Sequence, residues 1–437
     1  MRNFSLRTRL TAHFAVLALC VAGCASPDPA QTVIDFWAIG AEGEQVRHLI
    51  GEFERENPGV RVRLQQIPWN AAHEKLLTAF AGDATPDVCQ LGNTWIPEFA
   101  MFGALEPLDD RVANSEVVRP ADYFPGLWET NRVDGHVYGV PWYADTRVLF
   151  YRRDILEQAG FREPPDTWDE WLEAMRAIKR IVGPDRYAIL IPTNEWEQPT
   201  IFALQTGTEM LRDGGRYGNF RSPEFRRAFG FYTGLYAEGL APAVRNTEVS
   251  NVWEEFARGY FAMYVTGPWN IGEFRRRLPP EMQDQWATAP LPRPSSAAHS
   301  VSQAGGCGLV VFRRSESKDA AWRLIEFLSR PEELLQFYEL TGNLPPREST
   351  WQLGRLAEDP RVRAFHEQLE HVVPVPRVPE WEQITTKIME AGQSVIAGRR
   401  TVNEAIGQLD RAVDTLLEKR RWILARNAAS RSGPPLK

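Results

Sequence analysis

The sequence predicts an α/β protein of two lobes with a helical C-terminal section. Strand and helix patterns alternate through the first hundred residues, and helical patterns dominate after residue 310. With 437 residues, the chain is also too long for one hydrophobic core. The formal net charge of −7 and the lack of a dense basic stripe in the sequence argue against nucleic-acid binding.

The amino-terminal part switches between the periodicities of helix and strand. Apolar residues recur at helical spacing from Glu44 to Asn57, and at a period of two from Val60 to Leu64. The predicted order is strand 32–37, helix 44–57, strand 60–64, helix 75–80 and strand 87–91. Repeated strand–helix–strand units of this length favour a parallel, doubly wound sheet.

Later helices are marked by their capping residues. Thr167-Trp-Asp-Glu170 and Thr401-Val-Asn-Glu404 are capping boxes, and Ser222-Pro223 places proline at a first helical position. Further predicted elements are helices 317–329 and 331–340 and buried strands 261–266 and 306–311.

The first 24 residues have the pattern of a lipoprotein signal. Three arginines precede a short apolar run, and Val21-Ala22-Gly23-Cys24 has the form of a lipobox, whose cysteine is lipidated and becomes the N-terminus. The run is too short to span a bilayer. We therefore expect a signal peptide at 1–23, lipidation of Cys24, a Pro-rich tether at 24–30, and anchoring to the periplasmic or extracellular face of a bacterial membrane.

The sequence offers no sign of a catalytic or metal centre. It contains no phosphate loop, dinucleotide fingerprint or nucleophile elbow, and the histidines of His366–His371 are too far round a helix to share a zinc ion. We predict no cofactor, no metal and no catalytic residue. Cys89 and Cys307 lie in apolar runs that suit free buried thiols, while export would permit a disulfide, so their pairing stays open.

Tryptophan carries the strongest functional signal. Of 15 tryptophans, five lie among Gly, Pro, Asn or Asp near expected strand ends: Trp69, Trp95, Trp142, Trp269 and Trp381. Flat aromatic faces match the C–H faces of sugar rings, and Asp, Asn, Gln and Arg side chains bind hydroxyls. Each tryptophan alone could equally belong to a core, but five in such contexts favour a sugar-binding cleft.

Three segments together resemble the extracellular solute-binding proteins of ABC sugar importers, the maltose-binding type. They are Gly139–Asp154 with the following Pro164–Glu170, Glu255–Trp269 with its Gly-Pro-Trp ending, and Thr341–Arg347. The resemblance implies a two-lobed, periplasmic-binding-protein-like fold of type II with three interdomain crossings. It places the N-terminal lobe at 31–141 and 288–342, and the C-terminal lobe at 142–287 and 343–437.

The resemblance also implies binding residues. Trp269 matches the family's stacking platform, Trp381 lies in a segment that supplies another aromatic, and Asp145 matches an acidic hydroxyl-binding position. The segment Gly92-Asn-Thr-Trp95 departs from the family's aromatic followed by Asp-Arg, which bears on the ligand's identity more than on its class. The full candidate set is Gly40, Glu42, Glu44, Asn93, Thr94, Trp95, Trp142, Asp145, Arg147, Trp269, Gly305, Gly306, Asn343, Arg347 and Trp381, of which Arg147 and Arg347 could equally form structural salt bridges.

The expected function is capture of a sugar, a disaccharide or small glucoside, between the lobes, and its delivery to ABC permease subunits. The protein is expected to be a monomer that touches the membrane only through its lipid. Two alternatives stay open. One is a binder of a polyol, glycerophosphodiester or polyamine on the same fold, and the other is an anchored carbohydrate hydrolase that uses an acid pair such as Asp145 with Glu382.

Overall fold

The computed structural model describes residues 31–431, so the predicted signal peptide, tether and lipidated Cys24 lie outside the described residues. The strands in this range are β1 Thr32–Ile39, β2 Val60–Ile67, β3 Val88–Gly92, β4 Arg132–Val133, β5 His136–Val137, β6 Gly139–Asp145, β7 Val148–Arg152, β8 Tyr187–Leu190, β9 Leu211–Arg212, β10 Tyr217–Gly218, β11 Phe261–Thr266, β12 Trp286–Ala289, β13 Ser302–Gln303, β14 Gly305–Val311 and β15 Val372–Val373.

The helices in the same range are α1 Glu42–Gln45, α2 Arg47–Glu56, α3 Trp69–Ala81, α4 Ile96–Met101, α5 Asp109–Ala113, α6 Pro125–Glu129, α7 Arg153–Gln158, α8 Trp168–Val182, α9 Glu197–Gln205, α10 Pro223–Ala237, α11 Val252–Ala257, α12 Trp269–Arg277, α13 Lys318–Leu328, α14 Pro331–Thr341, α15 Glu348–Gly354, α16 Pro360–Leu369, α17 Trp381–Ile396, α18 Val402–Leu416 and α19 Glu418–Arg431. Within residues 31–431, no helix combines the length and apolarity that a membrane span requires.

Two separate sheets form the centres of the two lobes. The first has the strand order β2-β1-β3-β14-β6, and the second has the order β12-β7-β11-β8. In the first sheet β1 is parallel to β2 and β3, as the sequence predicts, but β14 runs antiparallel to β3 and β6. The sheet is therefore mixed rather than fully parallel, because β14 returns from a distant part of the chain.

The chain passes from the first sheet to the second between β6 and β7. Only Thr146 and Arg147 separate these strands, so β6 stays in the first sheet as far as Asp145. A later return brings β14 into the first sheet, and Leu344, which follows α14, forms an isolated bridge with Ala144. The lobe boundaries given above stay predictions, since strand membership alone does not divide the helices and loops.

Capping residues fix the starts of three long helices. Thr167 and Thr401 form the capping boxes of α8 and α18, and the Ser222 hydroxyl accepts a hydrogen bond from the first turn of α10. The helix predicted over 44–57 is divided into α1 and α2 at Val46, which is fully buried. Beyond β14 the described chain is helical except for β15, so the predicted helical C-terminal section is confirmed.

Each lobe has its own aromatic core. In the first, Trp142 lies between Phe36 and Phe337, and its ring stacks on Phe337 with centroids 4.3 Å apart. In the second, Trp171 packs edge-to-face against Phe202. Such closely packed cores make each lobe rigid, so that the lobes can form the two sides of a cleft.

The two cysteines in the described range are free thiols. Cys89 on β3 and Cys307 on the neighbouring strand β14 are both buried. Burial raises the pKa of both, and that of Cys307 reaches about 12. They behave as small apolar core residues rather than as reactive groups.

Candidate ligand-binding site

A cavity of about 150 Å³ lies where the ends of β3, β6 and β14 meet the start of α9. Trp69, Asn93 and Asp145 face it from the first lobe, and Trp196 and Glu197 from the second. Clefts at the ends of strands in α/β sheets are the usual place for small ligands. The complete lining is Trp69, Gly92, Asn93, Thr94, Tyr143, Asp145, Trp196, Glu197, Gln303, Ala304, Gly305, Gly306, Cys307 and Val375.

Trp69 provides an exposed aromatic face on the first-lobe side. It begins α3 directly after Pro68, and 42 % of its surface is exposed. Gly40 has a φ of 71°, and a β-carbon there would overlap the indole of Trp69. Trp95 supports the ring edge-to-face, with centroids 6.0 Å apart. The candidates Gly40 and Trp95 therefore position Trp69 and do not themselves line the cavity.

Trp196 provides the matching ring on the second-lobe side. It precedes α9, is partly exposed, and lines the cavity. Behind it lies Trp381, edge-to-face with centroids 5.8 Å apart and only 1 % exposed. Trp381 therefore supports the aromatic wall from within the core, and Trp196 forms the surface.

Asn93 and Thr94 follow β3, line the cavity and form hydrogen bonds to neighbouring segments. The Asn93 side-chain amide donates to the carbonyl of Ala304 at 2.8 Å, and its backbone N–H donates to the carbonyl of Gly306 at 3.1 Å. The Thr94 hydroxyl donates to Glu382 Oε1 at 2.7 Å. Because Glu382 lies on α17 of the other lobe, this hydrogen bond joins the two lobes directly across the cleft.

An ionic cluster lies at the crossing between the lobes. Arg147 donates to Asp145, and its Nη2 lies 3.0 Å from Glu197 Oε1. Its guanidinium also stacks over the Trp269 ring at 4.8 Å. Burial raises the pKa of Asp145 to about 6; Arg147 opposes this rise and Glu197 adds to it. Asp145 thus titrates well above an ordinary aspartate.

Two further carboxylates near the cleft share this behaviour. Burial raises the pKa of Glu382, which the Thr94 hydrogen bond partly offsets, and burial and Glu197 raise the pKa of Glu195. Among the candidates outside the cavity lining, Glu42 accepts a hydrogen bond from the Asn343 amide at 3.0 Å. The surroundings of the cavity are therefore rich in acidic groups, with Arg147 as their direct cationic partner.

Gly305 and Gly306 line the cavity and pack tightly on β6. A β-carbon on Gly305 would overlap the carbonyl of Asp145, and one on Gly306, whose φ is 125°, would overlap that of Tyr143. These glycines were expected to let the backbone approach a ligand. What the structure shows directly is a close approach of β14 to β6 at these two glycines, just before a register shift of the strand pair between Cys307 and Gly308.

Comparison with known proteins identifies the family of the chain. Residues 37–334, more than half of the chain, match the family model described as bacterial extracellular solute-binding protein. The chain belongs to this family. The resemblance to maltose-binding-type proteins that the sequence motifs indicate is therefore confirmed at the level of family and fold.

Individual relatives cover nearly the whole solute-binding protein. The sugar-binding protein MalE from Xanthomonas citri is 53 % identical, with 90 % of this chain and 99 % of that chain covered and a TM-score of 0.87. UgpB from Mycobacterium tuberculosis, solved in complex with glycerophosphocholine, is 26 % identical, with 89 % and 98 % covered and a TM-score of 0.74. A putative binding protein of Brucella abortus is 26 % identical over 415 residues, covering 94 % of this chain and 98 % of its own.

Three predicted site residues of this solute-binding protein lie elsewhere. Trp142 is fully buried in the first-lobe core, because its position on β6 points away from the cavity, and Trp381 is buried behind Trp196. Arg347 is a structural residue, since its Nε lies 2.6 Å from Asp122 and its guanidinium also donates to the carbonyl of Ser329. Their burial and protein contacts do not support direct ligand contact, which stays a prediction for all three.

Other candidates keep their status as predictions. Trp269 is 39 % exposed and carries the stacked Arg147, but neither residue is part of the cavity lining. Glu44 is exposed on α1 and is not part of the lining either. Asn93, Thr94, Asp145, Gly305 and Gly306 are brought together around one cavity.

Sequence reasoning missed Trp196 and Glu197 as site residues, and it noted Trp69 without placing it in the site. The stretch Asn194-Glu-Trp196-Glu197 lies between β8 and α9 and has the polar turn context that drew attention to other tryptophans. Applied evenly, the same criterion would have found Trp196. Tyr143 and Gln303 gave no comparable signal, because each lies in an ordinary strand sequence.

Proposed function

We propose that this solute-binding protein captures a sugar, a disaccharide or small glucoside, between its lobes and delivers it to an ABC permease. The supporting observation is the pair Trp69 and Trp196, which face one cavity from opposite lobes. Tryptophan faces stack on sugar rings, while the surrounding Asn93, Asp145 and Glu197 suit hydroxyl groups. The likeness to a sugar-binding MalE adds weight to this choice.

The charge around the cavity supports a neutral ligand over a phosphodiester. Asp145 and Glu197 line the cavity, and Glu382 accepts a hydrogen bond from Thr94 in the lining. The charge of Glu197 also raises the pKa of Glu195. Arg147, the cation in this cluster, is already engaged by two carboxylates. These carboxylates would repel an anionic ligand, whereas the hydroxyl groups of a sugar can donate hydrogen bonds to them. Polyols and polyamines remain as alternatives for the panel of ligands below.

Capture works through closure of the lobes on the ligand. A ligand that contacts residues of both lobes stabilises the closed form by its difference in affinity for the two forms. A micromolar dissociation constant corresponds to about 8 kcal/mol. Burying a large part of one indole on a sugar ring provides several kcal/mol of this, at about 25 cal/mol per Å² of apolar area.

The test is a calorimetric titration with disaccharides, glucosides, polyols, polyamines and glycerophosphocholine. We expect binding to one sugar class, and at least about tenfold weaker binding after Trp69→Ala or Trp196→Ala. Trp422→Ala is the matched control, because Trp422 is 60 % exposed on α19 and does not line the cavity. Binding of another ligand class, or unchanged affinity in both cavity variants, would overturn the proposal.

The cellular setting is a further part of the proposal. We propose that Cys24 carries lipid and holds a monomeric protein at the outer face of a bacterial membrane. The lipobox pattern and the extracellular nature of the family support this. Labelling of cells with a radioactive fatty acid tests it: wild type should incorporate the label and Cys24→Ala should not, and an unlabelled wild type would contradict the anchor.

A further inference from the structure

A second cavity, distant in sequence from the first, is dominated by arginine. It is an open groove of about 770 Å³ on the second lobe, between α10, the α17–α18 connection and α18. Five of its ten lining residues are arginines and one is a glutamate. We call it the arginine pocket, defined by Arg221, Arg226, Arg399, Arg400 and Arg411. Such a concentration of positive charge stands out on a chain with a net charge of −7.

Most of this charge is not neutralised within the protein. Arg221 pairs with Asp410 at 3.1 Å, but the described part of the chain provides no ion pair within 4 Å for the other four. Arg226 donates only to the neutral amide oxygen of Asn403. The glutamate of the wall, Glu404, is already bonded to the backbone and hydroxyl of Thr401. Exposed guanidinium groups therefore face the groove with donors free.

The backbone brings these groups together instead of leaving them spread over the surface. A β-carbon on Gly407 would lie 3.7 Å from Arg411 Nη1 and 3.8 Å from Arg221 Nη2, so two guanidinium groups converge over this glycine. The Arg226–Asn403 contact joins the first turns of α10 and α18. Both helices present the positive ends of their dipoles at this place, which adds to the field of the arginines.

We propose that the arginine pocket binds a phosphate-bearing anion. Guanidinium groups bind phosphate oxygens through paired, charge-assisted hydrogen bonds, and several together suit a group of more than one negative charge. The volume lies within the range of roughly 300–1,000 Å³ that is typical of small-molecule sites. The same chemistry is offered by free phosphates in solution and by the headgroups of anionic phospholipids.

The experiment compares wild type with Arg226→Gln/Arg400→Gln in the mature chain from Ala25 onward. The control is Arg162→Gln/Arg180→Gln, which removes the same charge from exposed arginines outside the pocket. The probes are inorganic phosphate and pyrophosphate in calorimetry, and phosphatidylcholine vesicles with and without phosphatidylglycerol in co-sedimentation. We expect the pocket variant, but not the control, to bind about tenfold more weakly.

Each outcome has a defined meaning. A selective loss with the soluble anions identifies free phosphates as the source, and a selective loss with phosphatidylglycerol vesicles identifies lipid headgroups. If no probe binds, or if both double variants lose affinity equally, the proposal of anion binding by the arginine pocket is overturned. Affinity for sugar should be unchanged in the pocket variant, so failure of this proposal and failure of the sugar-binding proposal are separable.

Discussion

Asp145 is a residue of the cleft whose protonation changes near neutral pH. Its pKa of about 6 means that it is ionised at neutral pH and protonated in mildly acidic solution. A carboxylate accepts hydrogen bonds from sugar hydroxyls at both oxygens, whereas the acid loses part of this capacity. If Asp145 contacts the sugar as proposed, the state of this one group influences affinity in a range where ordinary aspartates do not titrate.

We predict that sugar affinity is nearly constant above pH 7 and falls as the pH drops through about 6, by at most about tenfold per pH unit, and levels off once Asp145 is protonated. Calorimetric titrations between about pH 5 and 8 measure this. Asp145→Asn should bind more weakly at neutral pH and lose the dependence in this window. If wild type shows a flat profile, Asp145 does not contact the ligand.

The sequence context of the tryptophans indicated the region of the site, but not which face of a strand or helix each side chain lies on. On β6, side chains alternate between the two faces, so Asp145 and Tyr143 share one face and Trp142 points to the other. The assignment of Asp145 to the cleft was therefore already in conflict with that of Trp142. The period of the strand could have settled this from sequence, whereas the burial of Trp381 behind Trp196 depends on tertiary packing.

At the scale of elements, α14 contains a buried carboxyl group whose charged form is destabilised. Glu333 in its first turn is 7 % exposed, and its Oε2 has no hydrogen-bond partner in the described structure. Burial and the neighbouring Glu52 raise its pKa to about 7, against the opposing effect of Arg330. Between its ordinary pKa and this value, the folded protein binds more protons than the unfolded chain, so stability falls as the pH rises through this window.

We predict that Glu333→Gln stabilises the protein relative to wild type by about 2–3 kcal/mol more at pH 8 than near pH 4.5. Urea unfolding at the two pH values measures the difference. Glu332→Gln is the matched control, because Glu332 is the exposed neighbour in the same turn. A similar pH dependence in both variants would show that Glu333 is not the group responsible.

Element prediction was most accurate where the signal was local. The caps at Thr167, Ser222 and Thr401 are formed by residues three positions apart, and all three are found in the structure. The place of β14 between β3 and β6 depends on long-range pairing, which in the case of β3 spans more than two hundred residues. No local pattern determines such pairing, so the parallel sheet expected from the first strands became a mixed one.

At the scale of the whole molecule, direct contacts between the lobes bear on the lobe closure proposed above. Thr94 donates to Glu382 at 2.7 Å, and Arg377 Nη1 donates to Glu129 Oε2 at 3.0 Å from the opposite lobe. The partly buried Glu382 carboxylate accepts this hydrogen bond from the Thr94 hydroxyl, and an acceptor that loses its partner there is costly. The first contact therefore favours closure, and its loss should favour the open form.

We predict that Thr94→Val increases the radius of gyration of the ligand-free protein in X-ray scattering and weakens sugar binding about tenfold. The scattering measurement separates a lost contact between lobes from a lost contact with the ligand. Thr415→Val, at an exposed position on α18, is the control. An unchanged radius would mean that the hydrogen bond does not influence the equilibrium.

The position of β14 also determines when the protein can fold. This inner strand of the first sheet is synthesised at residues 305–311, after every strand of the second sheet. A growing chain of three hundred residues therefore has β3 and β6 but nothing to join them, and pairings across such long separations form slowly. The first sheet therefore cannot be completed until more than two thirds of the chain has been synthesised, whereas every strand of the second sheet is available earlier.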